Sequence, residues 1–174
     1  MTDFTKTRAK FHLPEGVVYL DGNSLGPMPV AASERLSRML AEEWGDRVAR
    51  LIGAAPGTVV MGDTLSIKVH QGLSAALDLN PERRVVLSDS GNFPSDLYVA
   101  QGLLASLGRG YELKVVEPEE VEAAIDATVA ATLITEVDYR TGRRHDMKRL
   151  TEKAHAAGAI AIWDLAHSAG ALDV

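Results

Sequence analysis

The stretch that decides the fold is Ala159-Ile160-Ala161-Ile162-Trp163, an apolar run closed by Asp164 and followed by His167. A short apolar run that ends at a carboxylate predicts a buried parallel strand. In open α/β folds, ligands bind at the carboxyl edge of the sheet, which is where Asp164 would lie. Since a lone buried charge is costly, we expect this carboxylate to meet a positively charged group or to be neutralised.

Strand and helix patterns alternate along the rest of the chain. The apolar pattern predicts strands over residues 17–20, 59–61, 84–88, 111–116, 129–137 and 159–163. It predicts helices over residues 30–44, 46–52, 65–77, 95–107 and 146–157, and one more that begins at Pro118. This alternation indicates an α/β fold, with a mostly parallel sheet flanked by helices. We expect an N-terminal arm with the first strand over residues 1–30 and a larger domain over residues 31–174.

The composition argues against several classes of function. The 174 residues carry a net charge of −6, which disfavours nucleic acid or an anionic membrane as a partner because both attract basic surfaces. The absence of cysteine excludes disulfides, thiol catalysis and cysteine-ligated zinc. Residues 1–10 lack the apolar core of a secretory signal, and no apolar run has the length of a membrane span. We therefore expect a cytoplasmic protein.

A first candidate ligand group follows the predicted strand at 59–61. There the backbone N–H groups of Leu65 and Ser66, together with the Ser66 hydroxyl, begin a helix and could bind an anion such as a phosphate. The alternative is that Asp63 or Thr64 simply caps this helix. The local sequence leaves both interpretations open.

A second candidate group follows the predicted strand at 84–88. Phe93 precedes Pro94, and the proline holds it in an extended conformation that aims its ring out of the loop. A ring placed in this way could stack on a flat ligand. The alternative is a hydrophobic staple, with Ser95 and Asp96 as ordinary first-turn residues of the next helix.

The third candidate group is Asp164 with His167. The alternative is a histidine that is hydrogen-bonded to its own aspartate and binds no ligand. The pair has no obvious third ligand in the sequence, so we predict no metal site. Taken together, the three groups offer an anion cradle, an aromatic plate and a carboxylate for a ring nitrogen. These are the contacts that pyridoxal 5′-phosphate needs.

Four motifs give the chain a resemblance to the kynureninase family. They are Tyr19-Leu20-Asp21-Gly22-Asn23-Ser24-Leu25-Gly26, Asn92-Phe93-Pro94-Ser95-Asp96, Tyr139-Arg140-Thr141-Gly142 and Asp164-Leu165-Ala166-His167-Ser168-Ala169-Gly170. The resemblance runs from about Phe11 to the last residue. Its final strand with the aspartate and histidine is common to many fold-type-I pyridoxal-phosphate enzymes, whereas the first two motifs are closer to kynureninase itself.

The resemblance implies a fold, a reaction and a set of roles. It implies an incomplete large domain of the PLP-dependent transferase type over residues 31–174, and a homodimer. The implied reaction is hydrolysis of L-kynurenine, or its 3-hydroxy form, to anthranilate (or 3-hydroxyanthranilate) and L-alanine in tryptophan catabolism. By position, the implied cofactor contacts are Leu65 and Ser66 at the phosphate, Phe93 on the ring, Pro94, Ser95 and Asp96 in its loop, Thr135, Asp164 at the ring nitrogen, and His167 beside it.

The chain also departs from the family in two places. The family's Schiff-base lysine lies beyond the aspartate–histidine motif, and none of the six lysines here stands in that context. No catalytic residue is therefore identified, and we expect the isolated chain to be inactive. A tryptophan-containing segment that the family carries after the position of Gly45 is missing, which implies an internal deletion.

Two other interpretations stay open. The chain could derive from another fold-type-I lyase, such as a cysteine desulfurase relative, although that group usually places a histidine over the ring where Phe93 stands here. It could also be a non-catalytic fragment that only binds a ligand or a partner chain.

Overall fold

The computed structural model describes residues 4–13, 15 and 27–174. The strand predicted over 17–20 and the motif that begins at Tyr19 lie outside the described residues. Contacts divide the chain into two compact units, Met1–Met61 and Gly62–Val174. Among the helices that the structure describes, none is long and apolar enough to cross a membrane.

The first unit consists of short helices. Helix α1 spans Phe4–Arg8, α2 spans Val30–Arg38 and α3 spans Asp46–Leu51. Between α2 and α3 the chain continues as a π-helical segment, Met39–Gly45. The helices predicted over 30–44 and 46–52 are confirmed. They are joined by a rare helix type at the position where the resemblance implies a missing segment.

The strand predicted over residues 59–61 is wrong. Residues 58–62 form no strand, and the Met61 N–H donates instead to the carbonyl oxygen of Leu40, at 3.3 Å. Gly45 allows this part of the chain to approach the π-helical segment, because a Cβ at position 45 would lie 2.0 Å from the Val59 carbonyl oxygen. Residues 59–61 therefore pack along a helix and not in a sheet.

The second unit contains a four-stranded parallel sheet. Its strands are β1 (Val85–Asp89), β2 (Glu112–Val116), β3 (Val129–Thr135) and β4 (Ile160–Asp164), in the spatial order β2-β1-β3-β4. All three strand pairs are parallel, which confirms the predicted sheet. Since β3 and β4 end in register, Thr135 lies directly beside Asp164 at the carboxyl edge.

Helices cover both faces of this sheet, as the alternating pattern predicts. Helices α4 (Leu65–Leu79) and α5 (Pro94–Leu107) pack on one face. Helices α6 (Val121–Ala124), which follows a 3-10 turn at Pro118–Glu120, and α7 (Met147–Ala156) pack on the other. The buried core includes Leu73, Leu104 and Leu133 on the first face, and Leu87, Ile134 and Leu150 on the second.

Gly45→Ala should destabilise the first unit. The added methyl group would overlap a backbone carbonyl, which cannot move aside like a flexible side chain, so we expect a loss of about 2 kcal/mol or more in the free energy of unfolding. Gly72→Ala is the matched control, because its Cβ would meet no atom within 4 Å inside α4. The control should gain about 0.5–1 kcal/mol. Urea denaturation followed by circular dichroism measures both, and equal stability of the two variants would contradict the close approach at Gly45.

Candidate functional site

Three strand ends are joined by buried polar side chains at the carboxyl edge of the sheet. The Thr135 hydroxyl oxygen at the end of β3 lies 2.5 Å from Asn92 Oδ1, in the loop after β1. The same oxygen lies 3.2 Å from Asp164 Oδ2, at the end of β4. All three residues are buried. The edge where the sequence predicts a ligand is therefore one connected polar cluster.

Asn92 is anchored by every polar atom of its side chain. Its amide nitrogen donates to Ser88 Oγ and to the Leu133 carbonyl oxygen, each at 2.9 Å. Its amide oxygen accepts from the backbone N–H of Phe93 at 2.7 Å. The Ser88 hydroxyl also donates to the Leu133 carbonyl oxygen at 2.6 Å. No local pattern predicts a role for Asn92 or Ser88, although a serine inside a buried strand is a signal of such a network.

Phe93 is extended, as its position before Pro94 predicts, with φ −67° and ψ 132°. Its ring contacts two other rings in what we call the aromatic trio of Phe93, Tyr139 and His167. The Phe93 and Tyr139 ring centroids are 4.9 Å apart in an edge-on arrangement, and His167 is 6.2 Å from Phe93. The structure thus places Phe93 and His167 together. Tyr139, which entered the sequence analysis only as part of a motif, is the residue that joins them.

Two carboxyl groups, Asp164 and Asp96, share this part of the fold, and neither forms an ion pair with a cation of the described residues. Asp164 is buried, and its Oδ1 accepts from the Ala166 N–H at 2.8 Å. Asp96, in the first turn of α5, is fully buried, and its Oδ2 has no hydrogen-bond partner among the described residues. Burial and the nearby Asp164 raise the pKa of Asp96 to about 6, despite a weak hydrogen bond from Ser95. The site therefore favours a ligand that brings a positive charge or an N–H donor.

The predicted phosphate pair lies at the start of α4. Thr64, one of the two residues that could have capped this helix, makes no side-chain cap hydrogen bond. Ser66 instead lines a surface cavity of about 530 Å³ together with His70 and Tyr98. Within the described residues, no hydrogen bond links Leu65 or Ser66 to the polar cluster, whereas hydrogen bonds, ring contacts or electrostatic interaction connect Phe93, Asp96, Thr135, Asp164 and His167 there.

A second polar cluster supports the loop that carries Phe93. Asp89, the last residue of β1, is buried; its Oδ1 accepts from the Gly91 N–H at 2.7 Å. His145 Nε2 lies 2.8 Å from Asp89 Oδ2, and Arg143 Nη2 lies 3.7 Å from Oδ1. A Cβ at Gly91 would come within 2.9 Å of both Arg143 Nη2 and Asp89 Oδ1. Glycine therefore lets the loop pass close over this cluster, where a larger residue would displace these side chains.

Asp138 fixes the turn that carries Tyr139. Its carboxylate accepts from the backbone N–H groups of Arg140 at 2.7 Å and Thr141 at 3.3 Å. Burial alone would raise the pKa of Asp138, but these hydrogen bonds and the Arg140 guanidinium hold it at about 2. Arg140 also donates to the Ser90 carbonyl oxygen at 3.2 Å. The turn and the Phe93 loop are thus tied together beneath the aromatic trio.

Comparison with known proteins gives this geometry a family context. No family model matches the chain. The kynureninase of Pseudomonas fluorescens is 49% identical to it over 192 residues, covering 96% of this chain and 46% of that protein. The chain is similar to kynureninase almost from end to end. It spans about half the length of the curated kynureninases it matches. Since 192 aligned residues exceed the 174 of this chain, the relative carries residues without a counterpart here.

Solved structures share the fold at lower identity. The apo cysteine desulfurase of Thermococcus onnurineus NA1 has a TM-score of 0.61 and 22% identity, covering 98% of this chain and 49% of that one. A C-DES mutant with glycine covalently linked to its PLP cofactor has a TM-score of 0.60 and 14% identity, covering 86% and 42%. The predicted fold, part of a fold-type-I large domain, is confirmed. At these low sequence identities, the solved structures are similar to this chain in fold alone.

The raised pKa of Asp96 predicts the direction in which the free energy of unfolding changes with pH. Its folded pKa, about 6, lies above the ordinary value of 3.8, so the folded state favours the protonated form and loses stability as pH rises through about 6. Asp96→Asn mimics the protonated form. It should raise the free energy of unfolding by about 2–3 kcal/mol at pH 8 and by much less at pH 4.

Asp138→Asn is the matched control for this prediction, because its carboxyl titrates in the opposite sense. With a folded pKa of about 2, Asp138 contributes stability that is present above pH 4 and lost as pH falls through about 2. This variant should therefore lose stability at pH 8. Urea denaturation at pH 4 and pH 8 measures both effects, and a destabilising Asp96→Asn at pH 8 would contradict the account of the site.

Proposed function

We propose that this chain forms part of a kynureninase-like hydrolase that binds pyridoxal 5′-phosphate. Its reaction would be cleavage of L-kynurenine, or 3-hydroxykynurenine, to anthranilate or 3-hydroxyanthranilate and L-alanine. The observation that carries the proposal is the 49% identity to a curated kynureninase together with a buried Asp164 at the sheet edge. The alternative is another fold-type-I lyase, such as a cysteine desulfurase relative. It has less support, because the likeness to cysteine desulfurases rests on fold alone.

The residues at the edge fit the cofactor chemically. In the part of the chain that the structure describes, Asp96 Oδ2 is buried without a hydrogen-bond partner and the nearby Asp164 has no ion-pair partner, so a protonated pyridine ring would supply a positive charge and an N–H donor. Asp164 would hold the proton on the ring nitrogen, and Phe93 would cover one face of the ring. The N–H groups of Leu65 and Ser66 would bind the phosphate. The chemistry that the cofactor supplies when bound is an electron sink for the pair left at the substrate's α-carbon.

Further parts of the proposal concern assembly and location. We propose a homodimer in the cytoplasm. Strand β4 is the last strand of the described sheet and its outer side is unpaired there, which makes it a template for another chain. The net charge of −6 supports a partner that is neither nucleic acid nor an anionic membrane.

Asp164→Asn should weaken cofactor binding. The probe is pyridoxamine 5′-phosphate, which carries its own amine and needs no lysine for attachment. Because the variant loses the charge that holds a proton on the ring nitrogen, we expect at least about tenfold weaker binding by calorimetry. Asp126→Asn, in the turn before β3 at the opposite edge of the sheet, should bind like the parent chain. Equal binding by the two variants would count against the proposed site.

The isolated chain should not be an efficient kynureninase. No described contact brings a lysine amine to Phe93, Thr135 or Asp164, and a positioned base is worth roughly 10²–10⁴-fold in rate. We expect anthranilate formation from kynurenine at least about 10²-fold slower than that of the Pseudomonas fluorescens enzyme assayed in parallel. Turnover at a comparable rate would mean that another group of this chain performs the proton transfer.

A further inference from the structure

One hydrogen atom is shared between two acceptors at the centre of the site. The Thr135 hydroxyl carries a single proton, and it lies between Asn92 Oδ1 at 2.5 Å and Asp164 Oδ2 at 3.2 Å. A hydroxyl can donate to only one of them at full strength. The acceptor oxygen that does not receive this proton stays free to accept a hydrogen bond from a ligand.

The surroundings of Asn92 decide this question. Its amide nitrogen faces two acceptors, Ser88 Oγ and the Leu133 carbonyl oxygen, so it must be the donor end of the side chain. Its oxygen, which already accepts from the Phe93 N–H, is therefore the atom that faces Thr135. Two oxygens at 2.5 Å without a hydrogen between them would repel each other. The Thr135 proton accordingly points to Asn92.

Asp164 is left with an acceptor oxygen to which no donor of the described residues lies closer than 3.2 Å. Its Oδ1 is occupied by the Ala166 N–H at 2.8 Å, whereas Oδ2 faces a hydroxyl whose proton is directed elsewhere. The carboxylate is buried, so water does not freely satisfy this oxygen. An N–H donor from a ligand would satisfy it.

We propose that Asn92 is a positioning residue that draws the Thr135 proton away from Asp164 and so reserves Asp164 Oδ2 for the ring N–H of the cofactor. This inference rests on the proposed function. Asn92, which lies outside the Asp164–His167 motif, would then set how strongly the site selects a protonated ring nitrogen.

The test compares two ligands that differ at one atom. Pyridoxamine 5′-phosphate has the ring nitrogen, and its 1-deaza analogue has a C–H in the same place. The ratio of their affinities, measured by calorimetry at one pH, is the nitrogen preference of the site. A merely structural role of Asn92 would weaken both ligands alike and leave this ratio unchanged.

Three variants give the expected pattern. Asn92→Ala frees the Thr135 proton to occupy Asp164 Oδ2, and the nitrogen preference should fall about tenfold. The double variant Asn92→Ala/Thr135→Val removes the competing proton and should restore the preference. Thr135→Val alone should keep it, which tests the inference even where Asn92→Ala does not fold.

Each outcome decides between the two proposals. If the parent chain binds neither ligand, the proposed function fails and the inference with it. If the parent chain prefers the nitrogen ligand but Asn92→Ala keeps that preference, the inference alone is overturned. A tenfold loss of preference in Thr135→Val would also overturn it, since the hydroxyl would then be assisting Asp164.

Discussion

The hydroxyl of Thr135 lies at the centre of the hydrogen-bond network that joins the strand ends of the candidate site. It lies beside Asp164 because β3 and β4 end in register, and it reaches Asn92 because the loop after β1 turns back over the sheet edge. Three strands that are far apart in sequence are thereby joined at one buried atom. Asn92, which also donates to Ser88 Oγ and the Leu133 carbonyl oxygen, connects this network to the loop that carries Phe93.

The surrounding groups follow from that constraint. The loop fixed by Asn92 carries Phe93 toward Tyr139 and His167, while the Asp89 and Asp138 clusters hold the underlying turns. The same loop leads into α5, which buries Asp96 near Asp164 and raises its pKa. The fold buries two acids that repel each other. This arrangement is unfavourable unless a positively charged ligand binds beside them.

The sequence predicts the elements of the second unit well, because each has a strong local signal. The apolar run before Asp164, the proline that begins α5 and the acidic cap of α7 at Asp146 all act within a few residues. The strand predicted over 59–61 has an equally apolar pattern, but the Met61 N–H donates to Leu40 in the π-helical segment, a contact that no local pattern shows.

The candidate site was predictable only in part, for the same reason. Asp164 and Phe93 stand out because a charge after a buried strand and an aromatic before a proline are unusual locally. Asn92 and Ser88 do not stand out, since their partners lie 41 to 45 residues away on another strand. The pKa of Asp96 is raised by burial and by Asp164 of β4, so it follows only once the sheet is assembled.

The most direct test of the account is the protonation state of a bound ring nitrogen. Pyridoxamine 5′-phosphate labelled with ¹⁵N in the ring can be observed by NMR when bound to the chain. The account predicts the chemical shift of a protonated nitrogen in contact with Asp164, retained at a pH where the free ligand has lost that proton. The shift of an unprotonated nitrogen in the bound ligand at that pH would contradict it.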